Sequence, residues 1–170
     1  MYKEIFLRIE LQVLMNLTAH ALRQPSMCIW HLPHLEALKC YAEFTRDNLS
    51  DDVSPEILQR MNTQAYRLGK ILRLLFLIRR KTTAQQFVVS LYRNIGIAMS
   101  FKSEDEIIFH SCFFSRFYTT DVCLAASSLD DGIIRGITGC GHLSFKQRIT
   151  EKCNYCLAQY IHETESNRYR

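Results

Sequence analysis

The chain has 170 residues, 48% of them hydrophobic, a net charge of +4 and seven cysteines. That length makes one domain with a sizeable core, and the composition excludes a disordered or low-complexity chain. The longest uninterrupted aliphatic or aromatic run, Leu74 to Ile78, is far too short to span a bilayer, and Lys3, Glu4, Arg8 and Glu10 interrupt any secretory apolar stretch. A cytoplasmic protein with no membrane partner is therefore expected, its cysteines free thiols rather than a disulfide framework.

In chain order, residues 3 to 23 read as a helix, with Ile5, Ile9, Val13, Leu17 and Ala21 at four-residue intervals and Phe6 and Leu14 widening the stripe. Gln24-Pro25-Ser26 ends it. A second helix after Pro33 carries Leu35, Leu38, Tyr41, Ala42 and Leu49. Asp51-Asp52 lead into Ser54-Pro55-Glu56, which supplies an N-cap, a first-turn proline and an acid at the positive end of the dipole. The third helix is predicted to run to about Arg80. Thr83 to Gln86 fits a capping box and opens a fourth helix with Phe87, Leu91 and Ile95 on one face and a stop at Gly96.

The periodicity then changes. Glu106 to Phe114 is β-branched and aromatic, as in a largely buried strand. Thr120-Asp121 caps a fifth helix reaching about Arg135, Gly139-Cys140-Gly141 makes a turn, and residues 142 to 150 alternate. In that alternation Leu143, Phe145, Gln147 and Ile149 share one face, and His142, Ser144, Lys146, Arg148 and Thr150 the other. A last strand covers about 155 to 162, before a polar tail. The expected fold is α+β in one compact domain. A helical region, 1–100, precedes a cysteine-rich region, 101–170, with an antiparallel sheet of three to four strands and one inserted helix.

Chemistry concentrates in the second region, where five of the seven cysteines fall between 112 and 156. Residues two apart on a strand share a face, so His110 and Cys112 are expected to point the same way. Cys123, Ser127 and Asp130 lie at i, i+4 and i+7 of the fifth helix. Packed together with Cys156, these residues suit a thiol nucleophile assisted by an imidazole and a carboxylate. Equally, Cys112, Cys123, Cys153 and Cys156 suit zinc or an iron–sulfur cluster. The polar strand face of Lys146, Arg148, Ser144 and Thr150 suits binding of a carboxylate or phosphate and equally a solvated outer face, and Arg148, Thr150 and Ser127 are the expected substrate-binding residues. Cysteine commonly packs as a small hydrophobe, the simpler reading for each thiol alone and the one taken for Cys28 and Cys40. The basic cluster of Arg67, Lys70, Arg73, Arg79, Arg80 and Lys81 carries no recognised nucleic-acid motif and no interleaved aromatic platform.

The order "FHSCFF", "SSLDD", "LSFKQRIT", "NYCLAQY" resembles the bacterial L-2-amino-thiazoline-4-carboxylic acid hydrolase family over about residues 107 to 162. The matching positions are Cys112, Asp130, Asp131, Phe145, Arg148, Thr150 and Cys156. A glycine usual in that family between the Arg-Thr strand and the last cysteine is absent. The resemblance implies opening of a cyclic C–N bond in a small sulfur-containing amino-acid derivative. In that reading Cys112 is nucleophile or ligand, His110 a base, Asp130 a base or orienting group, and Arg148 the clamp on the substrate carboxylate. The alternative is a non-catalytic metal- or ligand-binding module whose helical half forms a homodimer.

Overall fold

The computed structural model describes residues 2–49 and 53–161; the expectations for Asp51-Asp52 and the polar tail lie outside them. Four helices come first: α1 (Tyr2–Leu22), α2 (His34–Asn48), α3 (Pro55–Leu75) and α4 (Lys81–Asn94). Strands β1 (Ile97–Phe101) and β2 (Glu106–Cys112), helix α5 (Thr120–Thr138), and strands β3 (His142–Gln147) and β4 (Cys156–Ile161) follow. The strands form one antiparallel sheet in the order β1-β2-β4-β3. The α+β architecture read from the sequence is the observed one, and among the described residues no helix is long and apolar enough to cross a membrane.

The local signals explain some boundaries and mislead on others. Ser54 caps α3 as expected, its side chain accepting from Ile57 N, with Pro55 in the first turn. However, α3 stops at Leu75 rather than near Arg80. Leu77 takes the left-handed conformation (φ 51°) and Ile78 N donates back to Arg73 O at 2.9 Å. This is a Schellman-type ending without its usual glycine, so nothing in the sequence marked it. Helix α4 accordingly starts at Lys81, before the Thr83 capping box, and buries Ala84, Val88 and Tyr92. Strand β1 has no counterpart in the sequence reading, because its five residues after Gly96 are too few to show a periodicity. Helix α5 begins one residue earlier than read, with Thr119 accepting from Val122 N, and extends to Thr138, where Gly139 (φ 74°) ends it.

On α1 the four-residue stripe is only partly the buried one. Four residues turn a helix through about 400°, so each step drifts roughly 40° around the axis. Leu11, Leu14, Met15, Thr18 and Leu22 are buried, while Ile9 is 51% and Val13 37% exposed. The side chains of Ile5 and Phe6 lie outside the described set. Cys28, read as core, is exposed in the loop after α1. Cys40 is half-buried against the core.

Helix α5 is the central element, packed along α3 on one side and reaching α4 and β3 on the other. The α3–α5 crossing is a backbone contact. A Cβ on Gly136 would meet the Tyr66 carbonyl oxygen and stand 2.9 Å from Gly69 Cα. Neither neighbour is a flexible side-chain tip, so the helices would have to separate. Gly136→Ala is expected to cost about 3 kcal/mol, the upper end of ordinary overpacking. A thermal melt would show it as a loss of roughly 6–12 °C in Tm.

Candidate functional site

Two β-bulges decide which side chains face the core. On β2, Phe109 pairs with Met99 but Ser111 pairs with Ala98, leaving His110 as the extra residue. Alternation therefore breaks at His110. Phe109 and Cys112, three residues apart, both face inward, Cys112 opposite buried Ile97. His110 faces outward, exposed, with Nε2 2.7 Å from Ser100 Oγ. The expectation that His110 and Cys112 share a face is thus corrected, and His110 stands outside the cluster.

On β3 the same device operates. Phe145 pairs with Ala158 and Gln147 with Leu157, so exposed Lys146 is the extra residue. Arg148, still extended, consequently turns inward instead of joining the outer polar face read from the alternation. Its guanidinium lies 5.0 Å from the Phe145 ring centroid, and its side chain is only 11% exposed. Glu151 holds this geometry, accepting from Arg148 N at 2.9 Å and lying 3.5 Å from Nη1.

The inward residues meet one face of α5. Asp130 accepts a 2.8 Å hydrogen bond from the Tyr92 hydroxyl of α4, and Tyr92 in turn packs edge-on to Phe109. Asp130 lies close enough to Cys112, Cys123, Cys156 and Arg148 for their charges to interact. Burial raises the Asp130 carboxyl to about 7 against the pull of Tyr92, and the neighbouring Asp131 charge adds to the rise. Burial likewise pushes the Cys112 thiol to about 12 and the Cys156 thiol to about 11. It raises Cys123 too, with the Thr150 hydroxyl and Arg148 opposing. All three are therefore neutral thiols near pH 7. Cys156 Sγ also accepts the Ile149 N–H at 3.2 Å.

One polar atom of the cluster, Arg148 Nε, is buried without a hydrogen-bond partner among the described residues. Ser127, by contrast, turns its hydroxyl onto its own helix, 2.6 Å from Leu124 O. The acid pair divides. Asp131 is a structural tie that accepts from Asn62 Nδ2 (2.6 Å) and Leu143 N (2.7 Å) and lies 2.9 Å from His142 Nδ1. Among the described residues no three His, Cys, Asp or Glu side chains are placed to hold a metal ion, so Cys112, Cys123, Cys153 and Cys156 are not gathered around a single zinc ion.

Sequence reasoning missed Tyr92 and Glu151. The signal for Tyr92 was its place in the stripe Ala84, Val88, Tyr92, since a buried tyrosine needs a partner for its hydroxyl. Comparisons with family models, with curated proteins and with solved structures find no match to this chain.

These shifts set two outcomes. Under limiting iodoacetamide at pH 8, peptide mass spectrometry should find exposed Cys28 modified first, and Cys112 and Cys156 only after unfolding. Asp130 keeps a proton in the fold that the unfolded chain releases above its ordinary value of 3.8. Its contribution to stability is therefore present at low pH and declines as pH rises from about 4 to about 7, by roughly 1.4 kcal/mol per pH unit at the steepest. Glu10, also raised to about 7 by burial, acts in the same sense. Urea unfolding should give a less stable protein at pH 8 than at pH 5, with Asp130→Asn removing about half of the difference.

Proposed function

We propose that the chain is a hydrolase that opens the C–N bond of a small cyclic amidine bearing a carboxylate, at the face of α5 that meets the sheet. The observation that carries this reading is the pairing of a desolvated acid, Asp130, with a buried guanidinium, Arg148, whose Nε has no partner among the described residues. A carboxyl poised near neutral pH can both take and return a proton at working pH. A guanidinium offers a planar fork to a substrate carboxylate. The resemblance to the aminothiazoline-carboxylate hydrolases over residues 107 to 162 supports the same substrate class.

Asp130 is the base rather than Cys112, because the thiol at about 12 is a poor nucleophile at rest. Asp130 takes one proton from water as the oxygen adds to the amidine carbon, and passes it to the ring nitrogen. When the C–N bond breaks and the carbonyl forms, Asp130 relays the second proton to the same nitrogen. Both protons of the water end there, and the carboxylate is regenerated. Arg148 holds the substrate carboxylate, Tyr92 orients Asp130, and the thiols of Cys112, Cys123 and Cys156 form an uncharged wall.

The test is ring opening of 2-amino-thiazoline-4-carboxylic acid, followed by chromatography across pH 5 to 9. The expected kcat/KM rises with unit slope to a plateau above about pH 7. Asp130→Asn should lower kcat by about 10²-fold or more. Arg148→Gln should act chiefly on KM, whereas Cys112→Ala should retain activity within about tenfold. Tight binding of the acid with no turnover by wild type would replace the hydrolase with a non-catalytic ligand-binding module. A Cys112→Ala variant as dead as Asp130→Asn would return the nucleophile to the thiol.

A further inference from the structure

A second site lies in the helical half, away from the sheet. Helices α1, α3 and α4 line an open, groove-like cavity of about 480 Å³, within the roughly 300–1,000 Å³ range of small-molecule sites. Its walls are aliphatic and aromatic, Leu14, Leu72 and Phe87 among them, and the polar side chains lining it are Glu10, Ser90 and Asn94. Glu10 is the ionisable one. Asn94 Nδ2 donates to its Oε2 at 3.1 Å, while Oε1 is buried without a hydrogen-bond partner among the described residues. A carboxylate oxygen in that state lacks a donor.

We infer that this cavity binds a small amphiphilic amine, its apolar body among the helices and its ammonium on Glu10 Oε1. The amine supplies the donor that Oε1 lacks and the positive charge that makes an ionised carboxylate tolerable in an apolar wall. A fatty acid of the same length would set two acids against each other, and an alcohol would bring the donor without the charge. Burial holds the Glu10 carboxyl at about 7, so an arriving cation finds it readily ionised near neutral pH. The drift of the α1 stripe leaves Ile9 and Val13 at the cavity, where they extend its apolar lining outward.

The probes are n-octylamine, 1-octanol and octanoate, titrated calorimetrically into the full chain at pH 7.5. Octylamine should bind once per chain, at least tenfold more tightly than either of the others. Glu10→Gln, which keeps the shape of the neutral acid, should abolish that preference while leaving weak binding of all three. Ser90→Trp, replacing an exposed residue of the lining, should block the cavity and eliminate binding without lowering Tm. Equal affinity for octanoate and octylamine, an unchanged preference in Glu10→Gln, or full binding to a folded Ser90→Trp would overturn the proposal. So would a chain that sediments as a dimer, ignores octylamine and becomes monomeric on Leu75→Asp, since a second copy would then occupy the groove.

Discussion

The backbones of α3 and α5 touch, and the placement of Asp130, around which the candidate site is built, follows from that contact. Gly69, Gly132 and Gly136 bring the two helices closer than any side chain at those positions would permit. Close approach alone leaves the helices free to slide, and polar bonds remove that freedom. Asn62 on α3 donates both to Ser128 O and to Asp131 on α5, and accepts from Arg135 one turn further along. Asp131 then reaches across to the Leu143 N–H at the start of β3. Helix and sheet are thereby joined through one carboxylate, and the residue beside it, Asp130, is aimed at the inner face of the strands.

The consequence is a site whose electrostatics run against stability. Asp130 is desolvated among thiols and aromatic rings, with a single strong donor in Tyr92. Asp131, its neighbour, has three hydrogen-bond partners among the described residues and serves the fold. A well-satisfied carboxylate and an under-satisfied one in adjacent positions divide the work of holding the structure from the work of moving a proton. The under-satisfied group is tolerated because the crossing and the Asp131 ties hold α5 in place whether or not Asp130 is ionised.

Much of the fold was legible because its signals are local. The Ser54 cap, the turn at Gly139 and the cysteine-rich strands each declare themselves within a few residues. The shared face of Cys123 and Asp130 followed from helix periodicity alone, because α5 presents one continuous face, whereas Cys112 reaches that face through the bulge at His110. The α3 ending was invisible because a leucine, not a glycine, adopts the left-handed turn, its cost offset by burial of Ile78. The α1 stripe misled because a repeat of four is close to, yet not the same as, 3.6.

The bulges mark the sharper limit. A bulge is defined by what lies across the ladder, so strict alternation assigned His110 to the side of Cys112 and placed Arg148 outside. Yet the two segments share a pattern. In Phe109-His110-Ser111-Cys112 and Phe145-Lys146-Gln147-Arg148, an inward phenylalanine is followed by two polar residues and then by a residue of the site. A spacing of three between inward positions cannot arise on a regular strand, where inward positions are two apart. Each bulge turns one side chain, Cys112 or Arg148, toward Asp130, and each excludes one polar neighbour, His110 or Lys146. The ends of β2 and β3 are thus brought to the same helix face by the same distortion. That repetition argues that the inward placement of Arg148 and Cys112 is built into the sheet rather than a by-product of packing.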